Sequence, residues 1–307
     1  MRNSEFWYIP IDYLKGEIIG MDTNIILKNK SLLFTERVNT ETGEIPVINK
    51  NGKSIKRRKT AEYKGLKFQY YPHLNKVYLS GSIHKYKNNG EHNYDDLHHS
   101  KFNETLIELE EEFGIKPRNI KLNQIEWGIN ITPHIPIDRI LKSSLIHKGK
   151  RFEKVNVGYN SNYYQSEHAN YILKMYDKSM QYRTDKPILR FERKQRRYAQ
   201  YCKRKSIGNT LQDLINSQFK GFREAFFSDL KHIIFFDPDL NESTHYRDPQ
   251  YWEQLREETS RANVLKHRSK LKELNRKKGG NHFEKIEKLI LQKIDALNDQ
   301  ELTNFSF

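Results

Sequence analysis

Tyr171-Ile172-Leu173-Lys174-Met175-Tyr176-Asp177-Lys178 reads as a strand, and Ile188-Leu189-Arg190-Phe191-Glu192-Arg193, after a polar loop, reads as the strand that returns beside it. Apolar side chains alternate with charged or polar ones, which is the period-two pattern of a pleated sheet with one face buried. A polar loop between two such segments predicts an antiparallel pair. Upstream, Leu122–Thr132 has strand character, and Leu66–Tyr71 and Lys76–Tyr86 read as two strands joined by a tight turn at Pro72-His73-Leu74-Asn75. Ile9–Ile26 is strand-rich as well. Asn39–Asn51 is dense in turn residues and reads as a hairpin or loop. Helices are inserted between these strands. Phe102, Leu106, Leu109 and Phe113 fall on one helical face, with Gly114 as the stop, and Ile137–Leu145 reads as a second short helix. Strands and helices without a regular βαβ alternation predict an α+β fold built on a mainly antiparallel sheet.

After residue 200 the texture becomes helical. Leu211, Leu214, Ile215, Phe219 and Phe222 recur at helical spacing, as do Phe283, Ile286, Leu289, Ile290, Ile294 and Leu297. Between these stripes Arg261–Lys278 is strongly basic and ends at Gly279-Gly280. The expected organisation is therefore a strand-rich region over 1–205 and a basic helical region over 206–307.

The chain has 307 residues, with 54 Lys plus Arg against 39 Asp plus Glu, giving a formal charge of +15. Such a field attracts polyanions. Codon bias toward lysine would spread cations evenly, but here they cluster. Lys53–Lys59 holds one run, and Arg193–Lys205 carries seven cations (Arg193, Lys194, Arg196, Arg197, Lys203, Arg204, Lys205) and no acid. Tyr198 and Tyr201 are interleaved with the second cluster, where rings could stack on bases while cations hold phosphates. Nucleic acid is the expected partner. No apolar run reaches a membrane span, and the first six residues lack the basic-then-apolar order of a secretion signal, which points to the cytoplasm. A single cysteine, Cys202, excludes an internal disulfide and a thiolate metal cluster. No phosphate-cradling Gly-x-x-x-x-Gly-Lys-Ser/Thr motif occurs.

Four short segments carry candidate chemistry. On the strand at Tyr171–Lys178, alternation puts Lys174, Tyr176 and Lys178 on one side, and two ammonium groups beside a phenol would lower its pKa and hold phosphates next to a scissile bond. That is what a tyrosine nucleophile needs; a strand-end tyrosine among solvated lysines is the plainer alternative. Glu192, between Arg190 and Lys194 on its own face, reads as a salt-bridged carboxylate or a metal ligand. In Ile125-Glu126-Trp127-Gly128-Ile129-Asn130, Glu126 and Asn130 share a face and offer oxygen donors to Mg²⁺ or Mn²⁺, with Gly128 between them leaving room for a substrate backbone. His84, placed late on the strand Lys76–Tyr86 with Ser82 and Tyr86 on its face, offers an imidazole for a metal or a proton. His98 and His99 are adjacent and are expected to face solvent.

The order of these segments resembles rolling-circle replication initiators. Ser80-Gly81-Ser82-Ile83-His84-Lys85-Tyr86, then Ile125–Asn130, then Tyr171–Lys178, then Leu189-Arg190-Phe191-Glu192 is similar to the filamentous-phage gene II type and to related plasmid initiators with a Tyr-Asp-Lys strand, over residues 60–200. The resemblance implies a ferredoxin-like, HUH-endonuclease type of sheet with flanking helices. It implies a metal-dependent DNA nickase and strand transferase that stays joined to the 5′ phosphate through tyrosine while the 3′ hydroxyl primes synthesis. Tyr176 matches the nucleophile, Lys178 its supporting cation, and Glu126 and Glu192 the acidic positions. Lys174, Arg190 and the Arg193–Lys205 cations would hold origin DNA, Mg²⁺ or Mn²⁺ would be the cofactor, and a host helicase or polymerase and a second copy of the chain are the implied protein partners. No His-hydrophobic-His triplet occurs, so the family's paired-histidine metal site is excluded and His84 enters from its position alone. A non-catalytic regulator that binds DNA or RNA through the same basic surface is the competing reading. A tyrosine recombinase is disfavoured because no His-x-x-Arg box precedes Tyr176. Tyr171 faces away from Tyr176 on the same strand, which leaves Tyr182 as the candidate second tyrosine.

Overall fold

A computed structural model describes residues 8–36, 38, 57–156, 162–242 and 244–298. The turn-rich segment 39–51 and the first half of the Lys53–Lys59 run lie outside the described residues. The strands are β1 (Ile11–Ile18), β2 (Thr35–Glu36), β3 (Lys59–Tyr63), β4 (Leu66–Tyr71), β5 (Lys76–Ser82), β6 (Ile120–Ile131), β7 (Ser144–His147), β8 (Lys150–Arg151), β9 (Glu153–Lys154), β10 (Tyr163–Glu167), β11 (Tyr171–Asp177), β12 (Leu189–Gln195) and β13 (Ile233–Phe235). The helices are α1 (Thr23–Leu27), α2 (Ile83–Lys87), α3 (His99–Phe113), α4 (Ile137–Ser143), α5 (Lys178–Tyr182), α6 (Tyr198–Lys205), α7 (Leu211–Asn216), α8 (Phe222–Lys231), α9 (Pro249–Glu258), α10 (Arg261–Lys278) and α11 (His282–Leu297). None of them is long and apolar enough to cross a membrane.

The fold is α+β. Ten strands form one sheet in the order β2-β3-β4-β5-β1-β6-β12-β11-β10-β9, and every neighbouring pair is antiparallel. A smaller sheet, β13-β7-β8, lies beyond it. The pleat sorts side chains cleanly. On one face Leu14, Phe68, Ile125, Trp127, Ile129, Leu173, Met175 and Phe191 are buried under helices. Phe68 meets Phe113 of α3 at 5.0 Å, Trp127 stacks flat on Phe222 of α8 at 3.9 Å, and Phe191 meets Phe226 edge-on at 4.9 Å. Aromatic pairs of this kind contribute about 0.5–1.5 kcal/mol beyond the area they bury. Trp127–Phe222, together with the β13–β7 pairing, ties residues after 206 into the strand-rich region. On the other face Tyr13, Lys15, Glu17, Tyr71, Tyr78 and Gln124 remain at least partly exposed. That face is the open one.

Local rules explain most boundaries. α3 ends at Gly114, whose φ of 69° is the left-handed conformation glycine adopts without strain, and whose N–H bonds back to the Glu110 carbonyl at 2.8 Å. Thr210 and Asp213 form a reciprocal capping box at the start of α7.

Ile9–Ile26 is strand-rich through β1, which is followed by the short α1 capped by Asp22. Two expectations need correction. The strand from Lys76 stops at Ser82, whose hydroxyl accepts the Lys85 N–H at 3.0 Å and starts α2. His84 therefore sits on a helix, and the alternating Ser82-His84-Tyr86 face does not form. His99 does not face solvent alone: its ring packs 5.2 Å from Tyr8 and 6.2 Å from Phe219.

Candidate active site on the open face of the sheet

The register of three central strands builds the site. Tyr176 lies opposite Arg190, Lys174 opposite Glu192, and Glu192 opposite Gly128, with Asn130 opposite Arg190 and Glu126 opposite Lys194. Glu126, Lys174, Tyr176, Arg190 and Glu192 thus share the open face, as period two requires. Gly128 is needed for a reason other than substrate access. A Cβ there would stand 2.3 Å from the Phe191 carbonyl oxygen and 2.7 Å from the Glu192 Cα, so the glycine lets β12 lie close to β6.

Lys174 donates from Nζ to Glu126 Oε2 at 2.5 Å and to Glu192 Oε1 at 2.7 Å. Arg190, almost wholly buried, donates to Glu192 Oε2 at 3.1 Å, to the Asn130 carboxamide at 3.2 Å and to Asp12 Oδ2 at 3.4 Å. The Tyr176 hydroxyl points to Glu192 Oε2 at 3.4 Å, and the Tyr163 ring stacks on Tyr176 at 5.1 Å. Asp12 comes from an irregularity in β1. Ile11 pairs with Trp127 and Tyr13 with Glu126, so Asp12 is the extra residue of a bulge. Its carboxylate accepts from Ser82 Oγ at 2.7 Å and from Asn93 Nδ2 at 2.7 Å, and Asn93 in turn accepts the Tyr182 hydroxyl at 2.7 Å.

Burial and neighbouring charge divide the titrations of this cluster. Burial raises Glu126 to about 7, and the adjacent Glu192 pushes the same way. Burial alone would also raise Glu192, but Lys174 and Arg190 outweigh it and hold that carboxyl well below its ordinary range. Burial works against the Lys174 ammonium, yet the two glutamates overcome it and raise its pKa. Tyr176 is raised well above 10, first by burial and then by Glu192. This reverses the expectation of a phenol acidified by flanking lysines, because Lys174 is spent on the two glutamates. Lys178, the first residue of α5, is completely buried, and its Nζ has no hydrogen-bond partner. Burial and then Arg190 push it down to about 7.

The remaining expected residues are placed differently. His84 is buried with Nε2 2.7 Å from Asp95 Oδ1, and it forms no three-ligand group with Glu126 and Glu192. Among the described residues three potential ligands converge at Asp237, Asp239 and His282 instead. The donors there are engaged: Asp237 accepts the N–H groups of Asp239, Gly280 and His282, and Asp239 takes Arg139 and His282. Of the cations expected to hold DNA, Arg190 and Arg193 are internal. Arg193 bonds Asp229 at 2.5 Å and lies 3.6 Å over the Tyr171 ring. Lys194 bonds Glu126 at 3.1 Å, Arg196 bonds Glu167 at 2.6 Å, and Lys205 bonds Glu224 at 2.5 Å. Arg197, Lys203 and Arg204 are exposed. Tyr198 and Tyr201 are buried in the core and offer no ring to a base.

Sequence reasoning missed Asp12, Asn93 and Tyr163. Asp12 had a signal, as a lone acid among Ile9, Ile11 and Leu14. Asn93 and Tyr163 had none, since loop polarity and strand tyrosines are common in this chain.

No protein-family model matches the chain, and no curated protein matches it. Among solved structures, the chain is similar to one described as a rolling circle replication initiator protein from Geobacillus stearothermophilus, at 11% identity and a TM-score of 0.43, over 88% of this chain and 98% of that one.

Proposed function

We propose that the protein initiates rolling-circle replication of a phage or plasmid as a metal-dependent, site-specific nickase and strand transferase on DNA. One observation carries this reading: Tyr176, Glu192, Glu126, Lys174 and Arg190 gather with Lys178 of α5 in one largely buried charged cluster on the sheet face opposite the main helical layer. In the reaction Tyr176 Oη attacks the scissile phosphorus. A phosphotyrosyl bond forms as the bond from phosphorus to the 3′ oxygen breaks. Lys178 would take the phenol proton once substrate draws its amine within reach of Tyr176 Oη. Its Nζ is buried without a hydrogen-bond partner, burial and Arg190 lower it to about 7 so that part of it is free amine at physiological pH, and Asp12, Arg190 and Glu192 act on both groups. The resulting ammonium returns that proton to the departing 3′ oxygen, so the protein's charge is unchanged over the step. The phosphodiester's free energy is kept in the tyrosyl link, and resealing needs no nucleotide.

The donor set suits a hard divalent cation. Two buried carboxylates, Glu126 and Glu192, lie side by side, and their mutual repulsion is already visible in the raised Glu126. They would hold Mg²⁺ or Mn²⁺, which would polarise the scissile phosphate when bound. His84, tied to Asp95, stands outside this pair. Tyr176→Phe is expected to abolish the covalent protein–DNA adduct on an origin oligonucleotide while leaving binding intact, and an adduct of undiminished yield would sink the assignment.

A second reading, DNA binding without cutting, draws on the Lys174 ammonium that already bridges Glu126 and Glu192 and on the raised Tyr176. Supercoiled origin plasmid incubated with Mn²⁺ separates the two, since only a nickase yields open circles.

A further inference from the structure

Behind the open face, two cavities lie next to each other and meet at Lys148. One, of about 570 Å³, sits between β7, β13, α9 and α10 on an apolar floor of Ile146, Ile234 and Trp252. Its charged walls are Lys148, Arg256, Arg261 and Arg268. The other, of about 480 Å³, opens between the start of β11, α6 and α8, and is walled by Lys148, Arg193, Arg204 and Lys205. No carboxylate lines either cavity. The acids nearby sit behind or outside the walls: Asp229 is fully buried and ties down Lys148 and Arg193, and Glu224 is largely exposed and bonds Lys205.

Several of these cations are fixed in place. Arg256 donates to the Lys148 carbonyl and packs against Gly149, whose φ of 80° lies in the left-handed region that favours glycine. Arg268 donates to the Lys231 carbonyl at 2.6 Å. The Tyr201 hydroxyl, buried and without a hydrogen-bond partner, belongs to a ring that lines the second cavity. Arg261 and Arg204, one at each cavity, are exposed.

We infer that the two cavities form one track for the phosphodiester backbone of DNA, separate from the cluster around Tyr176. With Asp229 answering Lys148 and Arg193 and Glu224 answering Lys205, the cations without a carboxylate among the described residues are Arg204 at the second cavity and Arg256, Arg261 and Arg268 at the first, and a single anion or mononucleotide in one cavity would leave the other's unanswered. A strand carries one negative charge at every nucleotide and answers both. Trp252 is buried and the Tyr171 ring is covered by Arg193 and His168, so the track presents charge and no stacking platform. It therefore binds backbone without reading bases. The inference rests on DNA as the partner and not on nicking.

The test uses the full chain in a Tyr176→Phe background, so that no cutting interferes, with fluorescence anisotropy on a single-stranded and a duplex oligonucleotide over a salt series. Arg204→Gln/Arg261→Gln removes one cation from each cavity. Lys28→Gln/Lys30→Gln removes the same charge from the turn that follows α1. Loss of two phosphate contacts is expected to cut affinity about tenfold or more near 0.1 M salt and to lower the salt slope by about 1.8 on duplex or about 1.4 on single-stranded DNA, while the control pair stays within about twofold. The arm that loses more identifies the form of DNA the track holds. Equal losses in both variants, or none in the first with its thermal melt unchanged, would overturn the track. A failed Tyr176 adduct assay would leave these binding differences in place, so the two ideas fail separately.

Discussion

Glu192 and Arg193 are neighbours in sequence and belong to two charge clusters on opposite faces of the sheet. On the open face, Glu192 joins Glu126, Asp12, Lys174 and Arg190, with the buried Lys178 amine unbonded beside them. On the covered face, Arg193 joins a closed arrangement in which Asp229 accepts from Arg193 and Lys148, with His147 3.4 Å away. Burial and Arg193, with His147, compete over Asp229, and the charged partners win, holding it well below its usual range. The covered cluster brings each of its cations to Asp229 and acts as a joint between β12, β7 and α8. The open one carries two buried carboxylates that share one lysine, and an amine without a partner. Imbalance of that kind costs stability, and proteins accept it where chemistry is done.

The contrast can be broken most directly at Arg190. Arg190→Met leaves Asp12 and Glu192 buried without their shared cation and is expected to cost about 3–5 kcal/mol in urea unfolding. A loss under 1 kcal/mol would mean the open cluster is held by something other than charge pairing.

Lys178→Met should act in the opposite direction. The Lys178 pKa of about 7 in the fold lies below lysine's ordinary 10.5, so the folded state carries fewer protons than the unfolded chain between those values. Stability therefore rises with pH across that window: the cost of the buried charge is full below pH 7 and is lifted toward pH 10.5. The variant is expected to be more stable than the parent by about 2–4 kcal/mol at pH 6, with the gap closing as pH rises, while adduct formation is lost. Denaturant midpoints at pH 6, 8 and 10 check the slope; parallel curves for the two proteins would remove Lys178 as the titrating group.

Gly128→Ala tests whether close approach of β6 and β12 sets the site. Overpacking against the Phe191 carbonyl should cost about 1–3 kcal/mol and disturb the Glu126–Lys174–Glu192 spacing. An unchanged melting temperature would show that the strands can part freely. The smallest effect is expected at the exposed Lys142–Asp138 pair, where Lys142→Ala should leave the urea midpoint within experimental scatter of the parent's.

Much of this was legible from residue order. The strands at Tyr171–Asp177 and Leu189–Gln195, the helix ending at Gly114 and the helical texture after residue 200 follow from hydrophobic period and stop signals. So does the common face of Lys174 and Tyr176. The Arg193–Lys205 run misled for a physical reason: a count of cations ignores the pleat, which sends Arg193 inward to Asp229 and Lys194 outward to Glu126. The interleaved Tyr198 and Tyr201 misled similarly, since an aromatic ring suits a core as readily as a base.

The sequence by itself determined which residues alternate, where helices start and stop, and that the chain carries a net charge of +15. Those are local properties, set by side-chain period, capping and net charge. Only the tertiary structure decided which charges are spent on one another. Asp12 reaches Arg190 across 178 positions of sequence through a bulge, and Lys174 reaches Glu126 across 48 through strand order. Register and burial, which no local pattern encodes, raised the Glu126 carboxyl and lowered the Lys178 amine to about 7 and made Tyr176 a phenol harder to ionise than its neighbouring lysines suggest.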